Sequence, residues 1–125
     1  MIEMRRKMLD AHPNTSGLFD LKHDRGGIID VEFIVQYLVL GFSHEHEALT
    51  GNIGNLALLK LAARLGLAPA PPALAAHDAY RRFRSLQHSL RLQGEKFARI
   101  DPREVQKETE AVRALWSAVL GDETG

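Results

Sequence analysis

The chain has 125 residues, 45% of them hydrophobic and 26% charged, which suits one soluble domain with a single core and is too little for two. Sixteen basic and sixteen acidic side chains give a formal net charge of zero, which excludes a generally basic nucleic-acid binder. No run of about 18 or more uncharged apolar residues marks a membrane span, no basic-then-apolar leader marks a signal peptide, and the absence of cysteine excludes disulfides, thiolate zinc sites and thiol catalysis.

A reducing, cytoplasmic setting is expected. Leu and Ala supply 33 residues, while Val, Ile and Thr supply 16. Leu and Ala lose little entropy in a helix and β-branched residues lose more, so an all-α domain is predicted.

Residues 1–12 read as a helix with Met1, Met4, Met8 and Ala11 as its apolar stripe. The uncapped start points to a piece of something longer, with this segment as a connecting helix. Pro13, Asn14, Ser16 and Gly17 break the pattern. Residues 18–27 are irregular and end on Gly26–Gly27.

Residues 28–42 hold eleven apolar residues, six of them β-branched, interrupted only by Asp30, Glu32, Gln36 and Gly41. A buried strand is the alternative, but the length favours a helix over about 29–48. Being apolar almost all round, it is predicted to be central, with Glu32 and Gln36 as its polar strip. A short helix over 55–65 turns Leu56, Leu59 and Ala63 inward and stops at Gly66. The next runs from Pro71 or Pro72 to about Gln93, with Ala76, Ala79, Phe83, Leu86 and Leu90 as its seam and Gly94 as its stop. The last opens on Asp101, Pro102 and Glu104, a capping-box variant, and buries Val105, Val112, Leu115, Trp116 and Val119. The expectation is a bundle of about five helices forming one domain over 1–125.

Several residue sets have chemical potential. Lys22, Arg25 and the two glycines precede a helix N-terminus, where free amides attract anions. Asp30 in the first turn competes for the same donors, and a tight loop capped by Asp30 is the structural alternative. Asp20, Asp24 and Asp30 would bind metal only by converging; Asp30 and Glu32, two apart on a helix, point away from each other. His44 and His46 flank Glu45 near a helix end. His23–Asp24 and His77–Asp78 match the dipeptide of His-Asp metal phosphohydrolases, without the further ligands. Arg81, Arg84, His88 and Arg91 form one charged helical face, either solvated or a docking surface for an acidic partner or a nucleotide held by another domain. No serine has a nucleophile motif.

Residues 19–37 read FDLKHDRGGIIDVEFIVQY. Asp20, Lys22, Gly26, Gly27, Ile28, Asp30, Glu32, Phe33 and Gln36 form a pattern that resembles the Asp-x-Lys-x3-Gly-Gly-Ile-x-Asp-x-Glu-Phe-x2-Gln signature of the glutamine synthetase adenylyltransferase family. The similarity runs loosely over nearly the whole chain and is specific over 20–36. It implies an enzyme of two related halves, each a nucleotidyltransferase domain followed by a helical domain. One half transfers AMP from ATP to a tyrosine of glutamine synthetase; the other removes it by phosphorolysis. The balance responds to glutamine and to the nitrogen-signalling PII protein. This chain resembles the helical domain, more specifically that of the C-terminal, adenylylating half.

The family's magnesium-binding carboxylates precede this domain, and no Gly-Ser…Asp-x-Asp motif occurs here. The resemblance therefore implies no catalytic residue, metal or cofactor in this chain, with magnesium and ATP belonging to the parent enzyme. Asp20, Lys22, Arg25, Gly26, Gly27, Asp30, Glu32 and Gln36 become an interdomain or nucleotide contact, or a purely structural turn in which Lys22 or Arg25 pairs with Asp30 or Glu32. Its implied partners are the preceding nucleotidyltransferase domain, glutamine synthetase and PII, with neither nucleic acid nor membrane. A free-standing helical interaction module is the main rival. The neutral sum also hides asymmetry: 81–99 carries +5 (six bases, one acid) and 101–123 carries −3 (three bases, six acids).

Overall fold

The computed structural model describes residues 2–11, 13–42, 45 and 54–121. Its elements are α1 (Ile2–Ala11), β1 (Phe19–Asp20), α2 (Ile28–Phe42), α3 (Asn55–Arg64), α4 (Ala70–Leu92), β2 (Arg99–Ile100), a 3-10 turn (Pro102–Val105) and α5 (Gln106–Leu120). The chain is mostly α, as its composition predicts. The addition is a two-residue antiparallel ladder, Phe19 opposite Ile100 and Asp20 opposite Arg99. Such a ladder is too short to show any period in the sequence.

α2 packs against α3, α4 and α5, and α4 packs against α3 and α5. The first half of α2 is buried almost all round, from Ile28 through Val31 and from Phe33 to Val35. Further along, Gln36, Tyr37, Leu40 and Gly41 are exposed. The described helix runs to Phe42 and Glu45 lies in a turn, donating its N–H back to the Phe42 carbonyl at 3.1 Å, while residues 43, 44 and 46–48 of the expected helix lie outside the described residues. His44 and His46 lie outside the described residues.

From α4 the core takes Ala73, Ala76, Ala79, Tyr80 and Phe83; from α5 it takes Val112, Leu115 and Trp116. Phe83 meets Phe19 with ring centroids 6.0 Å apart. α3 and α4 end at the expected glycines: Leu67 N–H reaches the Ala62 carbonyl and Glu95 N–H the Leu90 carbonyl, 2.9 and 3.0 Å. These six-to-one closures satisfy carbonyls that the helix leaves open. In α3 Leu59 and Ala62 are the buried residues, with Leu56 and Ala63 half-buried.

Two local expectations are corrected. Asp101 caps the 3-10 turn, accepting from the Arg103 amide at 2.9 Å, so α5 itself starts later, at Gln106. Hydrogen bonds from the Arg103 side chain and amide hold the Asp101 carboxyl at about 2. In α1 the methionine stripe is not the inward face. Met4 is 60% exposed, Met8 half-buried and Ala11 exposed, whereas Arg5 is 0% exposed. A charged side chain is buried only with a matching partner, and the partner, Asp30, lies in the first turn of α2.

Candidate functional site

The turn from Asp20 to Gly27 is built by its own polar groups. Asp20 Oδ1 accepts the Lys22 and His23 amides, each at 3.0 Å, so the carboxylate folds the chain back on itself. Arg99 Nε lies 3.4 Å from Asp20 Oδ2, which ties the turn to β2. Asp24 Oδ2 accepts the Asp20 amide at 2.9 Å and Asn14 Nδ2 at 2.8 Å. Burial pushes the Asp20 carboxyl up, but the His23 and Lys22 amides, the His23 ring and Arg99 more than reverse this and leave it below its ordinary 3.8.

A lowered folded-state pKa gives stability that is present above the ordinary carboxylate value and lost as pH falls through the folded one. Asp20→Asn is therefore expected to flatten the acid limb. The wild-type chain should lose more stability than the variant in urea titrations between about pH 6 and about pH 3. Parallel losses would remove Asp20 from the acid response.

Gly26 and Gly27 are where this turn demands glycine. Gly26 has φ +86° and lies against Thr109 of α5. Gly27 passes so close to the Leu21 carbonyl that a Cβ would sit 2.5 Å from the oxygen. Four successive amides at the start of α2 are engaged: Gly26 to Asp30 Oδ2 at 2.7 Å, Gly27 to the Asp24 carbonyl at 3.0 Å, Ile28 to Leu21 at 2.8 Å and Ile29 to Lys22 at 3.1 Å. These bonds use the successive donors that a phosphate cradle at this helix N-terminus would need, despite the favourable dipole.

Asp30 binds the Arg5 guanidinium, which also donates to the His23 carbonyl. Arg25 Nη1 stands 4.0 Å from the same carboxylate. The pairing of Asp30 with a loop arginine is met by Arg25 only at that distance, and the direct partner is Arg5. Lys22 is exposed and has no ion pair among the described residues. Glu32 accepts from Tyr80 Oη at 3.3 Å, and Tyr80 accepts from Asn55 Nδ2 at 3.2 Å. Burial raises the Tyr80 pKa; the Asn55 bond lowers it and the Glu32 charge raises it. Gln36 is exposed.

A magnesium ion needs converging oxygens. Here Asp20, Asp24 and Asp30 are each committed to amides or arginines, and among the described residues no group of three or more His, Asp or Glu side chains could hold a metal. These residues do not fit the ion. His77 is buried, with Nδ1 3.0 Å from Asp78 Oδ1, while Asp78 is exposed. That pair and His23–Asp24 build no common site among those residues.

On α4, Arg81, Arg84, His88 and Arg91 are all exposed. Arg84 donates to Gln87 at 3.3 Å. Arg91 does more than lie on a solvated face. It lines a cleft of about 320 Å³ together with Lys22 and His23 of the turn and Lys96 and Phe97 before β2. Phe97 is 51% exposed, with the Arg99 guanidinium 4.2 Å over its ring. The convergence of Lys22 with Arg91 and the Phe97 platform could not be read from spacing, because the β1–β2 ladder creates it.

The family described as GlnD PII-uridylyltransferase matches residues 2–108 of this chain. The chain is 53% identical over 135 residues to the bifunctional glutamine synthetase adenylyltransferase/adenylyl-removing enzyme of Nitrosomonas europaea, an alignment covering 97% of the chain and 14% of that enzyme. It is 53% identical over 124 residues to the protein of the same name from Bordetella bronchiseptica, covering 99% of the chain and 13% of the relative. For the one from Aromatoleum aromaticum the identity is 54% over 121 residues, covering 97% and 13%. The chain therefore spans about one-seventh of the length of these relatives. No helix among the described residues is long and apolar enough to cross a membrane.

Proposed function

This chain belongs to the GlnD PII-uridylyltransferase family, and on that premise we propose that it is a helical domain of a bifunctional glutamine synthetase adenylyltransferase/adenylyl-removing enzyme. Its role is to support a nucleotidyltransferase domain and to turn the cleft of Lys22, Arg91 and Lys96 towards the nucleotide which that domain holds. One observation carries the reading. Within the signature, Asp20, Asp30, Gly26 and Gly27 are occupied in folding the turn, while the adjoining Lys22 side chain is exposed and lines a cleft in which Lys22, Arg91 and Lys96 outnumber the acids Asp20 and Glu95. A flexible ammonium on a rigid turn suits contact with an anionic group outside the domain.

The magnesium and ATP of the transfer reaction belong elsewhere in the parent enzyme, as do the groups that move AMP to or from tyrosine. Glutamine synthetase and PII are its partners, in the cytoplasm. The chain by itself is expected to transfer no AMP to glutamine synthetase, checked with radiolabelled ATP; transfer by the isolated chain would overturn this division of labour.

Lys22→Ala is the decisive variant. In the full-length enzyme it should lower AMP transfer at least about tenfold, equivalent to about 1.4 kcal/mol of transition-state stabilisation. In the chain alone it should change stability by under about 0.5 kcal/mol, as for other exposed side chains. Full activity, or an equal loss of activity and stability, would return the turn to a purely structural role.

A further inference from the structure

Among the described residues three buried side-chain polar atoms lack a hydrogen-bond partner: Arg5 Nη1, Arg25 Nη1 and Trp116 Nε1. All three are N–H donors, and the residues form one cluster. Arg5 and Arg25 share the Asp30 carboxylate, and the Arg25 guanidinium lies 5.4 Å over the Trp116 ring. Buried donors are nearly always paired, so three orphans in one place mean that an acceptor is missing there.

The charge count agrees. Asp30 is one negative charge facing two guanidiniums, and its oxygens already accept from Arg5 and from the Gly26 amide. One positive charge is left over beside the fully buried Arg5, on the partly exposed Arg25. The surroundings add to the excess: burial lowers the Arg25 pKa, Asp30 raises it, and the charges of Arg5, Arg113 and Arg6 lower it again.

We propose that Arg5, Arg25 and Trp116 form a binding site for one small oxyanion, with Arg6 and Arg113 on its rim. A carboxylate or a phosphoryl group would accept from both guanidiniums, which fit such planar or tetrahedral oxygens, and from the indole N–H. Arg25 is the way in, since its side chain is 22% exposed while that of Arg5 is 0% exposed. The site is separate from the Lys22 cleft and does not depend on the transferase reading.

Trp116 is the only tryptophan, so its emission reports on the site directly. The chain is titrated with sodium phosphate and, separately, with sodium acetate, with sodium chloride holding ionic strength constant. A saturable change in emission below ~50 mM of at least one oxyanion is expected, corresponding to millimolar binding. Tighter phosphate binding identifies a phosphoryl source, and tighter acetate binding an acidic side chain. Arg25→Gln should weaken the apparent Kd at least tenfold, and Arg113→Gln, an exposed position that folding does not need, two- to threefold. No saturable change with either oxyanion, an equal change with chloride, or unaltered binding in Arg113→Gln and in a folded Arg25→Gln would each overturn the proposal.

Discussion

Arg5→Met is expected to lower the stability of the chain by about 3 kcal/mol, at the lower end of what breaking a buried ion pair costs. Methionine keeps most of the apolar stem and removes only the guanidinium. The loss then falls on the two bonds that guanidinium makes, to Asp30 and to the His23 carbonyl. Arg25, 4.0 Å from the same carboxylate, remains to compensate the charge, which is why the low end of the range applies. A second consequence is structural. Of the described α1 side chains only Arg5 is buried, with Met8 and Leu9 half-buried, so the same change should release α1 from the bundle.

Urea unfolding measures the loss. Lys7→Met, on an exposed position of the same helix, should stay within about 0.5 kcal/mol. Arg5→Met combined with Asp30→Asn should cost less than the sum of the two single changes, because either one alone already breaks the pair. If Arg5→Met costs no more than Lys7→Met, Arg5 does not anchor α1.

Arg5 also shows where the sequence stops being informative. The helix over α1 was legible, and so was a methionine stripe, but a period says nothing about a charged residue whose partner is 25 positions away. Asp30 was visible as a first-turn acid able to reach back to the loop, which is what its bond to the Gly26 amide does. Sequence proximity points its ion-pair partner to loop residues, since only those are near in sequence. The later helices were more legible because their ends carry local chemistry: Gly66 and Gly94 close α3 and α4, and prolines sit in the first turn of α4.

Residue types mark Asp101 as a cap and it is one, yet the turn it caps is 3-10; the first turn's hydrogen-bond period leaves no mark in residue types. The β1–β2 ladder left none either, and it has the larger consequence. By pairing Asp20 with Arg99 it brings the start of the signature beside the end of α4. Lys22 and Arg91 thereby join in one cleft, although the sequence offers them only as two unrelated basic features. A phosphate cradle at α2 is disfavoured for the opposite reason: the tight loop engages the four successive amides from Gly26 to Ile29 itself.

That tightness makes Gly27→Ala the other large loss, again about 3 kcal/mol and the upper end of the usual cost of overpacking. The added methyl would meet the Leu21 carbonyl oxygen at 2.5 Å and the Asp24 oxygen at 3.0 Å. Neither is the tip of a flexible side chain. Both are backbone oxygens held in place, Leu21 O by the Ile28 amide and Asp24 O by the Gly27 amide. Relief therefore requires the turn to open, which breaks those bonds and drags the fully buried Leu21 from the core. The cause is space and not torsion, which separates Gly27 from Gly26, where a left-handed φ adds to the clash with Thr109. Gly41 provides the opposite sign. It lies in α2, is exposed, and an added Cβ would meet nothing within 4 Å, so Gly41→Ala should gain about 0.5 kcal/mol from helix propensity. Urea midpoints of the two variants should move in opposite directions from the parent. A Gly27→Ala chain as stable as the wild type would mean that the turn yields without cost, and the structural reason for the paired glycines would be lost.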